Sequence, residues 1–232
     1  MELENARNLF SKYGITLTDV QFGKLSAYAE MLRQEGKKQN VTAVDDPNAV
    51  WVRHFLDSAY LSDRIPTGAA VLDLGTGGGI PGLPLAILRS DLNITLLDSE
   101  LKKTEFCRAA AKQMSLDVNT VSGRAEELAH DPAFREQFDC AVSRAMASGS
   151  MLTELALPFV RPGGKLLAMK GRGYTAENEP FDGAAAALLA EKPEILSYDL
   201  EGEQKFLITV RKQCATPQNY PRRFAKIKRD PL

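Results

Sequence analysis

Residues Val71-Leu72-Asp73-Leu74 run without a break into Gly75-Thr76-Gly77-Gly78-Gly79-Ile80-Pro81-Gly82, a short apolar strand leading straight into a glycine-rich turn. No other segment constrains the fold as much. Glycine tolerates positive φ and lets the backbone approach a ligand closely, and Pro81 suits the first turn of a helix through Pro84-Leu85-Ala86-Ile87-Leu88. A second apolar run, Ile94-Thr95-Leu96-Leu97, ends on Asp98 about one βα unit later, where nucleotide-binding folds place an acceptor for ribose hydroxyls. Together the two runs predict a cofactor pocket with Gly75, Gly77 and Asp98 in its wall.

The chain has 232 residues, 44% of them hydrophobic, enough for one substantial α/β core. Beyond Gly75, apolar runs alternate with helix-like stretches, as in a parallel sheet covered on both faces. Seven strands are predicted, at 71–75, 94–98, 118–121, 138–143, 165–169, 194–200 and 205–211. Helices fall near 82–89, 100–114, 124–129, 148–158 and 181–190. Only Glu201-Gly202-Glu203 and its neighbours separate the last two strands, too few residues for a crossover, so these strands form an antiparallel hairpin at one end. A seven-stranded, mostly parallel sheet with one antiparallel strand resembles the class I, Rossmann-like fold of S-adenosylmethionine-dependent methyltransferases.

Upstream, Leu25, Tyr28, Ala29 and Leu32, then Val52, Phe55, Leu56, Ala59 and Tyr60, recur at helical spacing. Asp46 or Asn48 is placed to cap the second of these helices. The expected organisation is a single domain: a helical extension over 1–66, a cofactor-binding core over 67–212 and a basic tail over 213–232.

A net charge of −1 hides an asymmetry: residues 211–232 hold seven Lys/Arg against Asp230 alone. Such a tail on an acidic body points to a local contact with phosphates, the alternative being a solubilising terminus. Cys107, Cys140 and Cys214 are far apart, which indicates neither a disulfide framework nor a metal site and fits a reducing cytoplasm. The first residues carry no basic, apolar leader, and no apolar run reaches the ~18 residues that span a bilayer. The chain reads as soluble and cytoplasmic, with no membrane partner.

Gly77, Gly79 and Gly82 spell the dinucleotide pattern Gly-x-Gly-x-x-Gly, but the register that starts directly after the strand, at Gly75, fails at Ile80. A carboxylate at Asp73 would repel a pyrophosphate and favour the sulfonium and ammonium of S-adenosylmethionine. Asp98 would also repel a 2′-phosphate, and a helix-capping role there is compatible with ribose binding. After the third strand, Gly123-Arg124-Ala125-Glu126 can meet an adenine through backbone and Glu126, with Ala125 acting by main chain and shape. Interaction of Glu126 with the helix dipole is the other reading.

The loop after strand four, Ser143-Arg144-Ala145-Met146-Ala147, is where a methyl acceptor is expected. It lacks the Asn/Asp-Pro-Pro-aromatic motif of enzymes that methylate exocyclic amines, and Cys140 lies inside a core strand, unsuited to attack on a pyrimidine. A ring nitrogen with an exposed lone pair, such as guanine N7, needs no deprotonation. His54 then has no proton to abstract and reads as a packing or RNA-contacting residue, and Trp51 reads as core.

The chain resembles the bacterial small-subunit ribosomal RNA guanine-N7 methyltransferases, the RsmG or GidB family, over nearly its whole length. The matching strings are Asn40-Val41-Thr42-Ala43, Arg53-His54-Phe55-Leu56-Asp57-Ser58, the loop through Leu85, Leu97-Asp98-Ser99 with Lys102-Lys103, Gly123-Arg124-Ala125-Glu126, Ser143-Arg144-Ala145, Lys170-Gly171 and Tyr220-Pro221-Arg222-Arg223. The resemblance implies cofactor contacts at Gly75, Ile80, Ala125, Glu126 and Arg144. It also implies a guanine in the decoding region of 16S rRNA, met as free RNA or in the 30S subunit. No protein partner is predicted, and a monomer is expected. Phe224-Ala225-Lys226 departs from the Pro/Gly-containing stretch of the family.

Arg144 can hold the cofactor carboxylate, the guanine or a phosphate, or form a structural ion pair, so its catalytic role stays open. RNA contacts are expected from Arg211, Lys212, Arg222, Arg223, Lys226, Lys228 and Arg229, with Tyr220 and Phe224 interleaved and Lys37 and Lys38 assisting. Two other readings remain at this point: an NAD-dependent oxidoreductase, and a ribosome-binding protein that keeps the pocket without turnover.

Overall fold

A computed structural model describes residues 1–39 and 46–232. The Asn40-Val41-Thr42-Ala43 string and the side chains of Lys37 and Lys38 lie outside the described residues. Strands β1 (Ala70–Leu74), β2 (Asn93–Asp98), β3 (Val118–Ser122), β4 (Phe138–Arg144), β5 (Val160–Lys170), β6 (Glu194–Leu200) and β7 (Glu203–Arg211) form one sheet. Their order is β3-β2-β1-β4-β5-β7-β6, with β1 to β5 parallel and β7 antiparallel to both neighbours, as the short Glu201-Gly202-Glu203 connection requires. β5 begins five residues earlier than its apolar pattern predicts, and its register against β4 shifts between Phe138 and Cys140. Gly164 permits that approach, because a Cβ there would stand 2.5 Å from the Asp139 carbonyl oxygen.

The extension holds helices α1 (Leu3–Ser11), α2 (Asp19–Gln39), α3 (Pro47–Val50) and, after a π-helical turn at Trp51–Leu56, α4 (Asp57–Ala59). Helices α5 (Gly82–Leu88), α6 (Leu101–Gln113), α7 (Ala125–Leu128), α8 (Gly149–Ala156) and α9 (Asp182–Ala187) cover the sheet, and α10 (Phe224–Arg229) closes the tail. Strand alternation sends Val71, Ile94, Leu96, Cys140 and Val142 to one face, against α5, α6 and the extension. Leu72, Leu74, Leu97, Ala141 and Leu166 go to the other face, which α8 and α9 cover. Trp51 is buried as expected, its ring against Phe10, Phe22 and Phe55 at 5.2 to 6.4 Å between centroids. Asp46 caps α3 by accepting from the Asn48 N–H at 3.0 Å. Among the described residues no helix is long and apolar enough to cross a membrane, and no cluster of three His, Cys, Asp or Glu side chains could hold a metal.

The tail is anchored rather than free. Arg135 donates to the carbonyls of Ala129, Thr216, Pro217 and Tyr220, and Ile227 of α10 is fully buried. Two cations expected on RNA are therefore corrected. Lys212 is buried, its ammonium donating to Glu136 Oε1 (2.7 Å) and to the Leu157 and Val160 carbonyls (3.0 and 2.6 Å). Arg222 clasps the fully buried Glu154: its N–H and Nε donate to Oε1 at 2.9 and 2.8 Å, and Nη2 donates to Oε2 at 2.6 Å. A charge removed from water needs such a partner, and both residues serve that need inside the protein. Arg223, Lys228 and Arg229 stay exposed with no ion pair among the described residues, while Lys226 pairs with Asp230.

Breaking a buried pair from one side strands a charge. Arg222→Ala is expected to destabilise the protein by about 3 kcal/mol, and Glu154→Leu added to it to restore part of the loss. Urea unfolding of the parent, the single and the double variant reads both effects.

Candidate active site

Parallel strands end on the same sheet edge, so the loops after β1 to β5 meet there and enclose a cavity of about 1160 Å³. Gly75, Gly77, Ile80, Asp98, Ala125, Glu126 and Arg144, the seven cofactor candidates, all line it. Arg222, Arg223, Lys226 and Lys228 do not. Phe224 does, from α10, with the Arg124 guanidinium 5.1 Å from its ring centroid.

The loop after β1 takes positive φ at Gly75 (70°), Gly77 (57°) and Gly79 (91°). A Cβ at Gly75 would stand 2.6 Å from Met146, whereas one at Gly77 would meet nothing within 4 Å. Asp73 is what holds this loop, and here the structure corrects the sequence reading. Strand alternation turns Asp73 to the same face as Val71, under α5 and away from the cavity, so it cannot meet a sulfonium or an ammonium. Fully buried, its Oδ2 accepts from Thr76 Oγ1 (2.6 Å) and the Gly82 N–H (2.8 Å), while Oδ1 has no partner among the described residues. Burial raises its pKa to about 6, partly opposed by those hydrogen bonds. Since Asp73 occupies the first amide of α5, that helix start offers no pyrophosphate cradle, which removes the physical basis of the NAD reading.

Asp98, at the end of β2, accepts from the Gly77 N–H at 2.9 Å through Oδ2 and from the Glu100 N–H at 3.0 Å through Oδ1. It therefore caps the following turn and faces the cavity at once. After β3, Arg124 Nε donates to Glu126 Oε1 at 2.9 Å, which fixes the carboxylate beside Ala125. Strands lie ~4.8 Å apart, so the ends of β2 and β4 are separated by on the order of 10 Å.

At the end of β4, Arg144 turns toward the extension. Its guanidinium donates to the Arg53 carbonyl and, at 3.0 Å, to His54 Nδ1, and stands 3.7 Å from Asp57 Oδ2. Tyr198 of β6 donates to the other Asp57 oxygen at 2.8 Å. The ion-pair reading of Arg144 is thus realised while the residue still lines the cavity. The sequence shows Asp57 and Met146 only inside longer strings and gives no role to them or to Tyr198, because these partners lie far apart in the chain. The π-helical turn that brings Arg53, His54 and Asp57 to Arg144 leaves no mark on apolar spacing. After β5, Lys170 donates to the Ala147 carbonyl at 2.7 Å and pairs with Glu179.

Residues 21–205 match the family described as rRNA small subunit methyltransferase G, or GidB. Proteins named ribosomal RNA small subunit methyltransferase G are similar almost end to end. That of Acetivibrio thermocellus is 38% identical over 96% of this chain and 93% of its own, and that of Moorella thermoacetica 40% over 92% of each. Among solved structures, an O-methyltransferase from Bacillus cereus in complex with SAH superposes with a TM-score of 0.56 at 20% identity, covering 81% of this chain and 91% of that one. A SAM-dependent methyltransferase from Aquifex aeolicus gives 0.54 at 12%, over 74% and 96%. These structural likenesses establish the fold.

Burial, and next the Arg144 charge, lower the His54 pKa to about 3. An unfolded imidazole titrates near 6.5. The folded protein thus refuses a proton that the unfolded chain accepts, so this contribution to stability is complete above about pH 6.5 and is lost as pH falls toward 3. Going from pH 7 to pH 4 is expected to cost about 3 kcal/mol through His54. His54→Gln should lack that part of the slope, as read from urea unfolding of both proteins across this range.

Proposed function

Because this chain belongs to the rRNA small subunit methyltransferase G family, we propose that it transfers a methyl group from S-adenosylmethionine to N7 of a guanine in the decoding region of 16S rRNA. The observation that carries the reading is one cavity joining a ribose acceptor, Asp98, to the loop after β4, with Arg144 at its root. S-adenosylmethionine supplies an electrophilic methyl group carried on a sulfonium.

The residues present fit that donor. Asp98 accepts from the ribose hydroxyls, and Ala125 and Glu126 meet the adenine. Gly75, at φ = 70° and with Met146 packed beside it, puts bare backbone in the cavity wall, and Ile80 lines the same cavity. Arg144, held by His54 and Asp57, presents a fixed positive charge toward a cofactor carboxylate or an RNA phosphate. The chemistry asks for no base, because N7 already exposes its lone pair. The surroundings agree: His54 is kept neutral and bonded to Arg144, and burial pushes the Cys140 thiol up to about 12, far from a thiolate nucleophile. Orientation and exclusion of water are left as the sources of rate. The ribosomal substrate supports a cytoplasmic reading.

Labelled methyl groups are expected to enter 16S rRNA of 30S subunits that lack the modification, with naked RNA as comparator, and to be recovered as N7-methylguanosine. Gly75→Asp should abolish incorporation and cofactor binding, since φ = 70° and Met146 leave no room for a side chain. Absence of label on both substrates with the parent enzyme would favour the ribosome-binding reading without turnover.

RNA contact is assigned to Arg223, Lys228 and Arg229, the exposed cations of the anchored tail, whereas Arg211 pairs with Glu194. Each phosphate contact removed lowers the salt slope by about one. Replacing Arg223 and Lys228 with Gln should flatten the log–log salt dependence of RNA binding by about two, with calorimetric cofactor affinity unchanged.

A further inference from the structure

Beside the acceptor end of the cavity lies a pair that no step above uses. Lys170, the last residue of β5, and Glu179, on the loop that follows, both line the cavity. Lys170 is nearly buried, bonded to the Ala147 carbonyl and to Glu179 Oε2, whereas Glu179 Oε1 has no hydrogen-bond partner among the described residues. The loop is held hard against the start of α8. Ser150 Oγ donates to the Pro180 carbonyl at 2.9 Å, Phe181 is buried, and a Cβ at Gly149 would stand 2.5 and 2.7 Å from the carbonyl oxygens of Pro180 and Glu179. Glu179 therefore has little freedom of position.

We propose that Lys170 and Glu179 read the Watson–Crick edge of the acceptor base, the ammonium donating to guanine O6 and the carboxylate accepting from N1–H and the N2 amine. This inference rests on the methyl-transfer reading of the same cavity. Guanine presents acceptor, donor, donor along that edge, complementary to an adjacent ammonium and carboxylate. Adenine presents an amine to the ammonium and a bare N1 to the carboxylate, so both contacts turn repulsive. Held by this edge, the base keeps N7 free on its other side. A site built to bond an exocyclic amine discriminates sharply against the analogue that lacks it.

The test uses full-length enzyme and 16S rRNA carrying guanosine, inosine or 7-deazaguanosine at the nucleotide the parent methylates. Inosine lacks only the N2 amine, and the parent is expected to prefer guanosine by about tenfold or more. Glu179→Gln should lower transfer to guanosine and bring the two substrates within about twofold, with S-adenosylmethionine affinity unchanged by calorimetry. A merely structural role would slow both substrates equally, so an unaltered guanosine-to-inosine ratio overturns the proposal. Glu179→Asp, which keeps the charge and shortens the reach, carries the same ratio test should the first variant fail to fold. Transfer to the 7-deazaguanosine RNA would instead overturn the N7 reading beneath it.

Discussion

The site depends on a carboxylate that never reaches it. Asp73 lies in the core with one oxygen bonded to Thr76 and the Gly82 amide and the other unpartnered, at a desolvation cost that its raised pKa of about 6 records. Those two bonds close the loop between β1 and α5 into a single path. On that path Gly77 turns its amide to Asp98, and the Gly78 carbonyl accepts from the Tyr28 hydroxyl of α2. The helical extension is thereby part of the pocket's support and not an appendage. A neutral residue at position 73 would lose the strong acceptor that both donors share, and the loop would lose its reason to turn where it does.

A second network fixes the loop after β4 by the same logic. Arg144 is surrounded by the Arg53 carbonyl, His54 and Asp57, and Asp57 is tied in turn to Tyr198 on β6. One guanidinium thus joins β4, the π-helical turn and the far edge of the sheet. Burial raises the Asp57 pKa while the Arg144 charge opposes it, so the pair holds because neither partner is left alone. Ala145, the next residue, adopts φ = 55°, a left-handed conformation that costs a non-glycine residue on the order of 1 kcal/mol, and from there Met146 packs into the space that Gly75 leaves open.

What could be read from the sequence was what is local. The strand–glycine turn, Asp98 one unit later, the short link that forces an antiparallel hairpin and the buried Trp51 all announce themselves within a few residues. The direction of Asp73 was also legible in principle, since Val71 and Asp73 share a strand face and Val71 is core. Lys212 and Arg222 were misread for a different reason. Their partners Glu136 and Glu154 are 76 and 68 residues away, and nothing in a run of basic residues tells a buried clasp from a solvated surface. Phe224 belongs to the same class: its composition suggested a stacking surface for RNA, and tail anchoring turns it to the cavity wall beside Arg124.

The corrections converge on one physical point. A reaction at a ring nitrogen that already offers its lone pair gives the protein no proton to move, and the site accordingly holds its one imidazole neutral and its nearest thiols far above their ordinary range. Rate must then come from geometry, for which well-oriented reactants can supply on the order of 7 to 11 kcal/mol. Geometry is reliable only if the walls cannot relax. The orphaned oxygen of Asp73 and the left-handed Ala145 each lower stability locally, whereas the 179–181 loop is held by close packing on Gly149 that leaves no room for a side chain. Where the nucleophile needs no activation, fixed loops that hold the reactants in line are what the protein has left to contribute.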